Sequence, residues 1–128
     1  MANTVKRWHR EFDTVVTTVS AILTTVGEYP VGDMDGVGFH ISNAGVLIDQ
    51  FVIQAQFYDA GPWETMFSAA GDYTSPLGIL IGTSGDLTGI ADAATGWFII
   101  YPKGIYKLRL RAASSGADTS ITINGGGS

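Results

Sequence analysis

The pattern of apolar and polar positions is clearest in residues 97–113, WFIIYPKGIYKLRLRAA, which predict two β-strands joined by a turn. Residues 97–101 are apolar on both faces, whereas residues 106–111 alternate strictly between apolar and basic side chains. A period of two is typical of a strand with one buried and one wet face. Because a Pro-Lys-Gly turn separates the two runs, we interpret the segment as a hairpin. The inward set is Tyr106, Leu108 and Leu110, and the outward set is Lys107, Arg109 and Arg111.

A second alternating run covers residues 47–58 and predicts another strand. Residues 63–67 follow after a short Asp-Ala-Gly-Pro loop, and the two runs are expected to pair as a hairpin. Residues 119–124 predict the last strand, with Ile121 and Ile123 inward. In the 47–58 run, one face carries Phe51, Ile53, Ala55 and Phe57.

The N-terminal half has a weaker pattern. Residues 11–25 could form an apolar helical face, but their valine and threonine density favours one or two strands. Residues 27–38 have turn chemistry, and residues 39–42 form a short strand before an Asn-Ala-Gly turn at 43–45.

Residues 68–96 form a long span rich in glycine, serine and aspartate, in which residues 77–81 are the one apolar run. That run is expected to be a short strand or an anchored loop. No strand is separated from the next by a convincing helical pattern, so the sheets should be antiparallel. About seven or eight short strands then predict an all-β protein, either a β-sandwich or a jelly-roll-like barrel. Residues 1–10 are interpreted as an arm, and residues 11–128 as one domain.

Composition narrows the functional classes. The 128 residues carry a net charge of -5, which argues against nucleic-acid binding, and no cysteine, which excludes disulfides and thiolate metal sites. Because no basic N-terminal segment precedes an apolar core and no apolar run reaches about 20 residues, we expect a soluble protein made in the cytoplasm. The basic residues fall in two clusters, near the N-terminus and at 103–111, which could meet acidic surfaces on other proteins or could be solvated.

No motif for catalysis or cofactor binding stands out. His9 and His40 are interpreted as structural, and the Asp-Met-Asp-Gly run at 33–36 as turn residues, since it lacks the other ligands of a calcium loop. The residues Trp63, Trp97 and Tyr101 could form a sugar-stacking platform, although aromatic residues in strands are more often core. We therefore predict no enzymatic activity, no metal and no cofactor.

The C-terminal half resembles small β-sandwich structural proteins of tailed bacteriophages. In those proteins a strand near a tryptophan precedes a glycine-rich insert and a hairpin with the pattern G-x-Y/F-x-x-[VL]-R-[VL], and a Ser/Thr-rich strand closes the sheet. Gly104, Tyr106, Leu108, Arg109 and Leu110 follow this pattern here, with one residue rather than two between the tyrosine and the first leucine. The resemblance implies a virion protein made in the host cytoplasm, such as a capsid decoration protein or a neck or tail component. It implies no catalytic residue.

The expected partners are therefore other copies of the chain and other virion proteins, with no nucleic acid and no membrane. An alternative is a carbohydrate-binding or adhesion module on the same type of sandwich. Because ordering a glycine-rich tail is costly, neighbouring chains are also expected to hold residues 125–128. The residues expected at partner contacts are Lys6, Arg7, Trp8, Arg10, Tyr73, Leu77 and Ile79.

Overall fold

The computed structural model describes residues 9–69, 79–81 and 95–128. Within these ranges the regular secondary structure consists of β-strands. No helix long and apolar enough to cross a membrane is found among these residues. The strands are β1 (Arg10–Glu11), β2 (Val15–Val19), β3 (Thr24–Pro30), β4 (Val37–Asn43), β5 (Ile48–Gln56), β6 (Glu64–Ala69), β7 (Ile79–Ile81), β8 (Thr95–Ile100), β9 (Lys107–Ser114) and β10 (Thr119–Gly127).

These strands form two antiparallel sheets. The larger sheet has the order β1-β10-β4-β8-β7. Strands β2 and β1 pair with the same edge of β10, β2 with residues 119–123 and β1 with residues 126–127. The smaller sheet has the order β3-β9-β5-β6. The inward faces of both sheets contribute to one hydrophobic core. The predicted all-β antiparallel sandwich is therefore confirmed.

The core is built from alternate residues of the two sheets. Phe51 in the smaller sheet meets Phe98 in the larger sheet with 5.9 Å between ring centroids. Near one end of the sandwich, Tyr29 packs between Phe12 and Phe39, with ring centroids 4.8 Å apart in both contacts. The large side chains that are almost completely buried are Phe51, Phe98, Ile41, Ile48, Ile53, Ile100, Leu108, Leu110, Ile121 and Ile123.

The segment 97–113 has the predicted alternation but not the predicted pairing. Leu108 and Leu110 are fully buried and the basic residues of β9 face outward, as expected. However, β8 pairs with β4 and β7, whereas β9 pairs with β3 and β5, so the hairpin interpretation is wrong. The connection crosses between the sheets over the end of the core, where Pro102 and Ile105 are buried. A hairpin and a crossing connection share the same local alternation, which is why the pattern did not distinguish them.

The turn within this connection agrees with its sequence. The Ile105 amide donates to the Pro102 carbonyl at 2.9 Å, which closes a four-residue turn. Gly104 occupies the third position with φ of 86°. This left-handed conformation is the one a type II turn requires there, and glycine adopts it without a steric penalty.

In the N-terminal half, residues 11–25 contain the two predicted strands, β2 and the start of β3, rather than a helix. The turn predicted for 27–38 is too long, because β3 continues to Pro30 and β4 begins at Val37. Glycine does not interrupt β3: Gly27 leaves room for the Tyr29 ring, which folds back across it. The turn at 43–45 is confirmed, and the Asn43 side-chain amide donates to the Val46 carbonyl at 2.8 Å.

In the central region, the hairpin of β5 and β6 is confirmed. Phe51, Ile53 and Ala55 are fully buried, but Phe57, which was predicted on the same face, lies beyond the strand and is 52% exposed. Part of the predicted apolar run at 77–81 forms β7 against β8. The predicted long loop at 68–96 is too long at both ends, because residues 68–69 belong to β6 and residues 95–96 to β8. Its other residues outside β7 lie outside the described residues.

The C-terminal tail is part of the larger sheet. β10 continues through Gly125 to Gly127, between β4 on one side and β1 on the other. The Ser128 carbonyl then accepts the amide of Asp35 at 2.8 Å. Neighbouring chains are therefore not needed to order this tail, contrary to the argument from its composition, because backbone hydrogen bonds within the chain offset the cost of ordering the glycines.

Candidate functional site

One depression on the protein is a groove on the outer face of the larger sheet, here called the sheet groove. Its volume is about 540 Å³, which is within the usual range for small-molecule sites. It lies where β1, β10, β4 and β8 run side by side. The lining residues are His9, Glu11, Phe12, Thr14, Gly38, Phe39, His40, Trp97, Phe98, Ile99, Asn124 and Gly125.

A row of three side chains crosses the groove. Asn124 of β10 pairs with His40 of β4, and His40 pairs with Trp97 of β8. All three alternate with buried neighbours and are exposed on the outer face. Because adjacent strands lie about 4.8 Å apart, the row spans roughly 10 Å. It brings an amide, an imidazole and an indole to one surface.

Glycines make the surface concave beside this row. Gly38 and Gly126 pair with each other, two residues along their strands from His40 and Asn124. A Cβ at Gly38 would meet other atoms only at 3.8 Å or more, so this position is open. At Gly126 the space is already filled, since a Cβ there would lie 2.7 Å from Nε2 of His9. The groove therefore has its floor at Gly38 and a wall formed by His9.

The polar side of the groove is held by a short hydrogen bond. The Thr14 hydroxyl donates to Oδ1 of Asn124 at 2.6 Å, which fixes the amide with its nitrogen free to donate elsewhere. The exposed side chain of Glu11 lies on the same side. The neighbouring Arg10 already forms an ion pair, because its guanidinium donates to both carboxylate oxygens of Asp33 at 3.1 Å. The described lining of the groove thus carries one carboxylate and no lysine or arginine.

A second depression lies at one end of the sandwich, between the β5–β6 connection and the β8–β9 connection. Its volume is about 450 Å³. Two exposed aromatic residues, Phe57 and Tyr58, line it together with Tyr106. Among the described residues, no side chain that lines it is held by a hydrogen bond as Asn124 is in the sheet groove, so the sheet groove is the better candidate for selective recognition.

The outer face of the smaller sheet is covered by its own side chains. Arg109 lies 4.5 Å from the centroid of the Trp63 ring and donates through Nε to Gln54 at 2.8 Å. Burial lowers the pKa of Arg109, with repulsion from Arg111 acting in the same direction and attraction to Glu28 opposing it. The guanidinium is thereby used within the chain.

Of the predicted contact residues, Arg10 is the one whose side chain the structure describes. It lies in β1, pairs with Gly127, donates to the Pro30 carbonyl at 2.9 Å and forms an ion pair with Asp33. Ile79 lies at the start of β7. The other predicted contact residues, Lys6, Arg7, Trp8, Tyr73 and Leu77, lie outside the described residues.

The candidate chemical residues are only partly brought together. His9 and His40 line the same groove, although no group of three potential metal ligands occurs among the described residues. The supposed aromatic platform does not form, since Trp63 lies beside Arg109 of the smaller sheet and Trp97 on the larger sheet. The core interpretation is also wrong for Trp97 and Tyr101, which are 37% and 57% exposed. Sequence reasoning missed Thr14, Gly38 and Asn124, which carry no local signal of a site.

Comparison with known proteins yields one informative likeness, in structure. No protein-family model matches the chain, and no curated protein matches it. The crystal structure of the SPBc2 prophage-derived protein YomS superposes with a TM-score of 0.50 at 11% identity, covering 97% of this chain and 99% of that one. A mutant VP2 protein of infectious bursal disease virus gives a TM-score of 0.30 at 13% identity over 93% of this chain and 40% of that one. The likeness to YomS shows a shared fold.

Proposed function

We propose that this protein is a non-enzymatic structural protein of a tailed-phage virion, either a capsid decoration and stabilising protein or a neck or tail accessory subunit. The observation that carries the proposal is the end-to-end fold likeness to a prophage-derived protein. The C-terminal strand pattern around Gly104 and Leu110 supports the same assignment, because it resembles phage structural proteins. The partners would be other copies of the chain and major capsid or tail subunits.

The N-terminal arm is the proposed attachment element. Trp8 is its strongest anchor candidate, since aromatic residues dominate binding energy at interfaces while exposed ion pairs contribute little. The described structure defines where the arm can be cut. Arg10 and Glu11 pair with the glycine tail, and Phe12 packs against Tyr29, so the sheet requires these residues. Removal of residues 1–8 spares all of these contacts.

The test is attachment to particles. Virions banded by density gradient should contain the full-length protein at a fixed ratio to the major capsid or tail subunit, measured by quantitative mass spectrometry. A chain lacking residues 1–8 should fold, as judged by an unchanged unfolding midpoint, but should be strongly depleted from the particles. Trp8→Ala should show most of this loss, and Arg10→Ala, which breaks the ion pair with Asp33, serves as the matched control.

Two results would count against the proposal. Absence of the full-length protein from purified particles, despite its abundance in the lysate, would remove the virion assignment. Unchanged occupancy of the truncated chain would retain the virion assignment but reject the arm as the attachment element.

A carbohydrate-binding or adhesion role is the second candidate function. One observation favours it, the sheet groove with Trp97 beside polar side chains. The two functions are compatible, because a virion subunit can carry a ligand site on a face that is not used for assembly.

A further inference from the structure

We propose that the sheet groove is a binding site for a short, uncharged saccharide, with Trp97 as the stacking surface and Asn124 and His40 as hydrogen-bonding groups. The inference rests on the second candidate function, carbohydrate binding, and does not depend on a place in a virion. It follows from the shape of the groove, its charge and the polar groups that meet there.

The shape favours a small elongated ligand. The row from Asn124 through His40 to Trp97 crosses three neighbouring strands and spans roughly 10 Å. Gly38 provides an open floor beside the row, and His9 closes one side. A groove of about 540 Å³ with this outline has room for a chain of linked sugar rings lying across the strands.

The charge of the groove argues against ionic ligands. Glu11 is the acidic group in the described lining, and it would repel a phosphate or carboxylate. The nearest lysine or arginine among the described residues, Arg10, is already bound to Asp33 and to the Pro30 carbonyl. A cationic ligand would find one exposed carboxylate, which contributes little on its own. An uncharged ligand is not repelled by Glu11 and does not depend on an ion pair with it.

The mixed chemistry of the groove argues for hydroxyl groups rather than a purely apolar surface. Trp97 offers a wide apolar ring whose N–H can also donate. Asn124, whose carbonyl oxygen is held by Thr14, presents its amide N–H groups as donors, and the His40 imidazole can donate and accept. Covering these polar atoms with an apolar ligand would leave them without partners, which is unfavourable. Sugars present apolar C–H faces and hydroxyl edges, and so match both kinds of group.

The rigidity of the site supports recognition. Each residue of the row lies on a strand that is paired on both sides, and the amide of Asn124 is oriented by a 2.6 Å hydrogen bond. The backbone of the row and the Asn124 amide therefore lose little freedom on binding, which reduces the cost of association. Since the groove is shallow and open, we expect affinities in the millimolar to high micromolar range.

The experiment is a titration of the isotope-labelled full-length protein with lactose, maltose, cellobiose and di-N-acetylchitobiose, followed by two-dimensional NMR. At least one disaccharide should shift the Trp97 indole and Asn124 side-chain signals together with the Gly38 amide. Trp97→Ala should weaken binding at least tenfold, whereas Trp63→Ala, on the opposite sheet, should leave it within twofold.

A second pair of variants tests the floor of the groove. Gly38 and Ser42 both face outward on β4, but only Gly38 lines the groove. Gly38→Val should fill the groove and weaken binding at least tenfold, and Ser42→Val should not. The proposal is overturned if none of the disaccharides shifts these signals at tens of millimolar, if the shifts map to Phe57 and Tyr58 instead, or if Trp97→Ala binds normally. None of these outcomes bears on particle attachment, so this proposal and the virion assignment can fail separately.

Discussion

The central strands of the two sheets are built in opposite ways. In the smaller sheet, β9 alternates buried leucines with partly exposed basic residues, and Arg109 at its centre contacts both Gln54 and Trp63. In the larger sheet, the last three residues of β10 are glycine and are held by backbone pairing on both sides. One strand is fixed by its side chains, and the other by its backbone and by the close approach that glycine permits.

This difference also explains where a ligand can bind. The smaller sheet covers its outer face with its own long side chains, so few polar groups there remain unused. The larger sheet lacks a side chain at Gly38, and the open space there becomes part of the sheet groove. Glycine in a strand often marks such an approach of another group.

The sharpest test of the smaller sheet, in which β9 is fixed by its side chains, is Leu110→Ala. Leu110 is fully buried at the centre of β9, between Gly27 and Ile53 of the flanking strands. Truncation should lower the free energy of unfolding by about 2–5 kcal/mol, the usual cost of a cavity at a buried leucine. Urea unfolding measures it, with Lys107→Ala as a control that should change stability by less than about 0.5 kcal/mol. Equal shifts for the two variants would show that the inward face of β9 has been misassigned.

The second prediction concerns Tyr29, at the seam between the sheets. Burial raises the pKa of Tyr29 to about 12, so the folded protein favours the neutral phenol. In the unfolded chain this group ionises near its ordinary value of about 10. The stability that comes from the neutral form is therefore complete below about pH 10 and falls by about 2–3 kcal/mol as the pH rises to about 12.

Tyr29→Phe removes this pH dependence. Urea unfolding between neutral pH and about pH 11 should show a smaller loss of stability for this variant than for the wild type, while Tyr58→Phe, at an exposed site, should follow the wild type. At neutral pH the variant should be at least as stable, because the buried hydroxyl of Tyr29 has no hydrogen-bond partner among the described residues. Identical alkaline profiles for Tyr29→Phe and the wild type would contradict the buried environment of the phenol.

The same contrast explains what could be predicted from the sequence. Alternation in β9 and β5 is a local signal, and it placed Leu108, Leu110, Phe51 and Ile53 in the core correctly. It could not reveal that β8 and β9 belong to different sheets, since the partners of both strands are far away in the chain. Pairing across sequence distance is decided by the whole core, not by the six residues between the two strands.

The groove was hidden from the sequence for the same reason. His40, Trp97 and Asn124 become neighbours through the register of three strands that are remote from one another in the chain. The glycine tail had a misleading local signal, because consecutive glycines are typical of flexible ends. Only the pairing of Gly126 with Gly38 and Glu11 shows that this tail is a strand.

The last prediction tests the larger sheet, in which the end of β10 is held by backbone pairing. It compares two variants that each add one methyl group, on opposite faces of the sheet. A Cβ at Gly125 would lie 2.6 Å from Cδ1 of Phe39 and 2.9 Å from the Gly38 carbonyl oxygen, so Gly125→Ala must displace the ring or separate the strands. We expect it to lower the free energy of unfolding by about 1–3 kcal/mol, as overpacking does.

Gly38→Ala is the matched change on the neighbouring strand, where the new methyl meets only ordinary contacts at 3.8 Å and beyond. It should be neutral or should stabilise by up to about 1 kcal/mol, because alanine reduces the entropy of the unfolded chain. Urea unfolding of the two variants compares them directly. If both are equally tolerated, the close approach of Gly125 to Phe39 does not hold the tail, and the backbone pairing alone must do so.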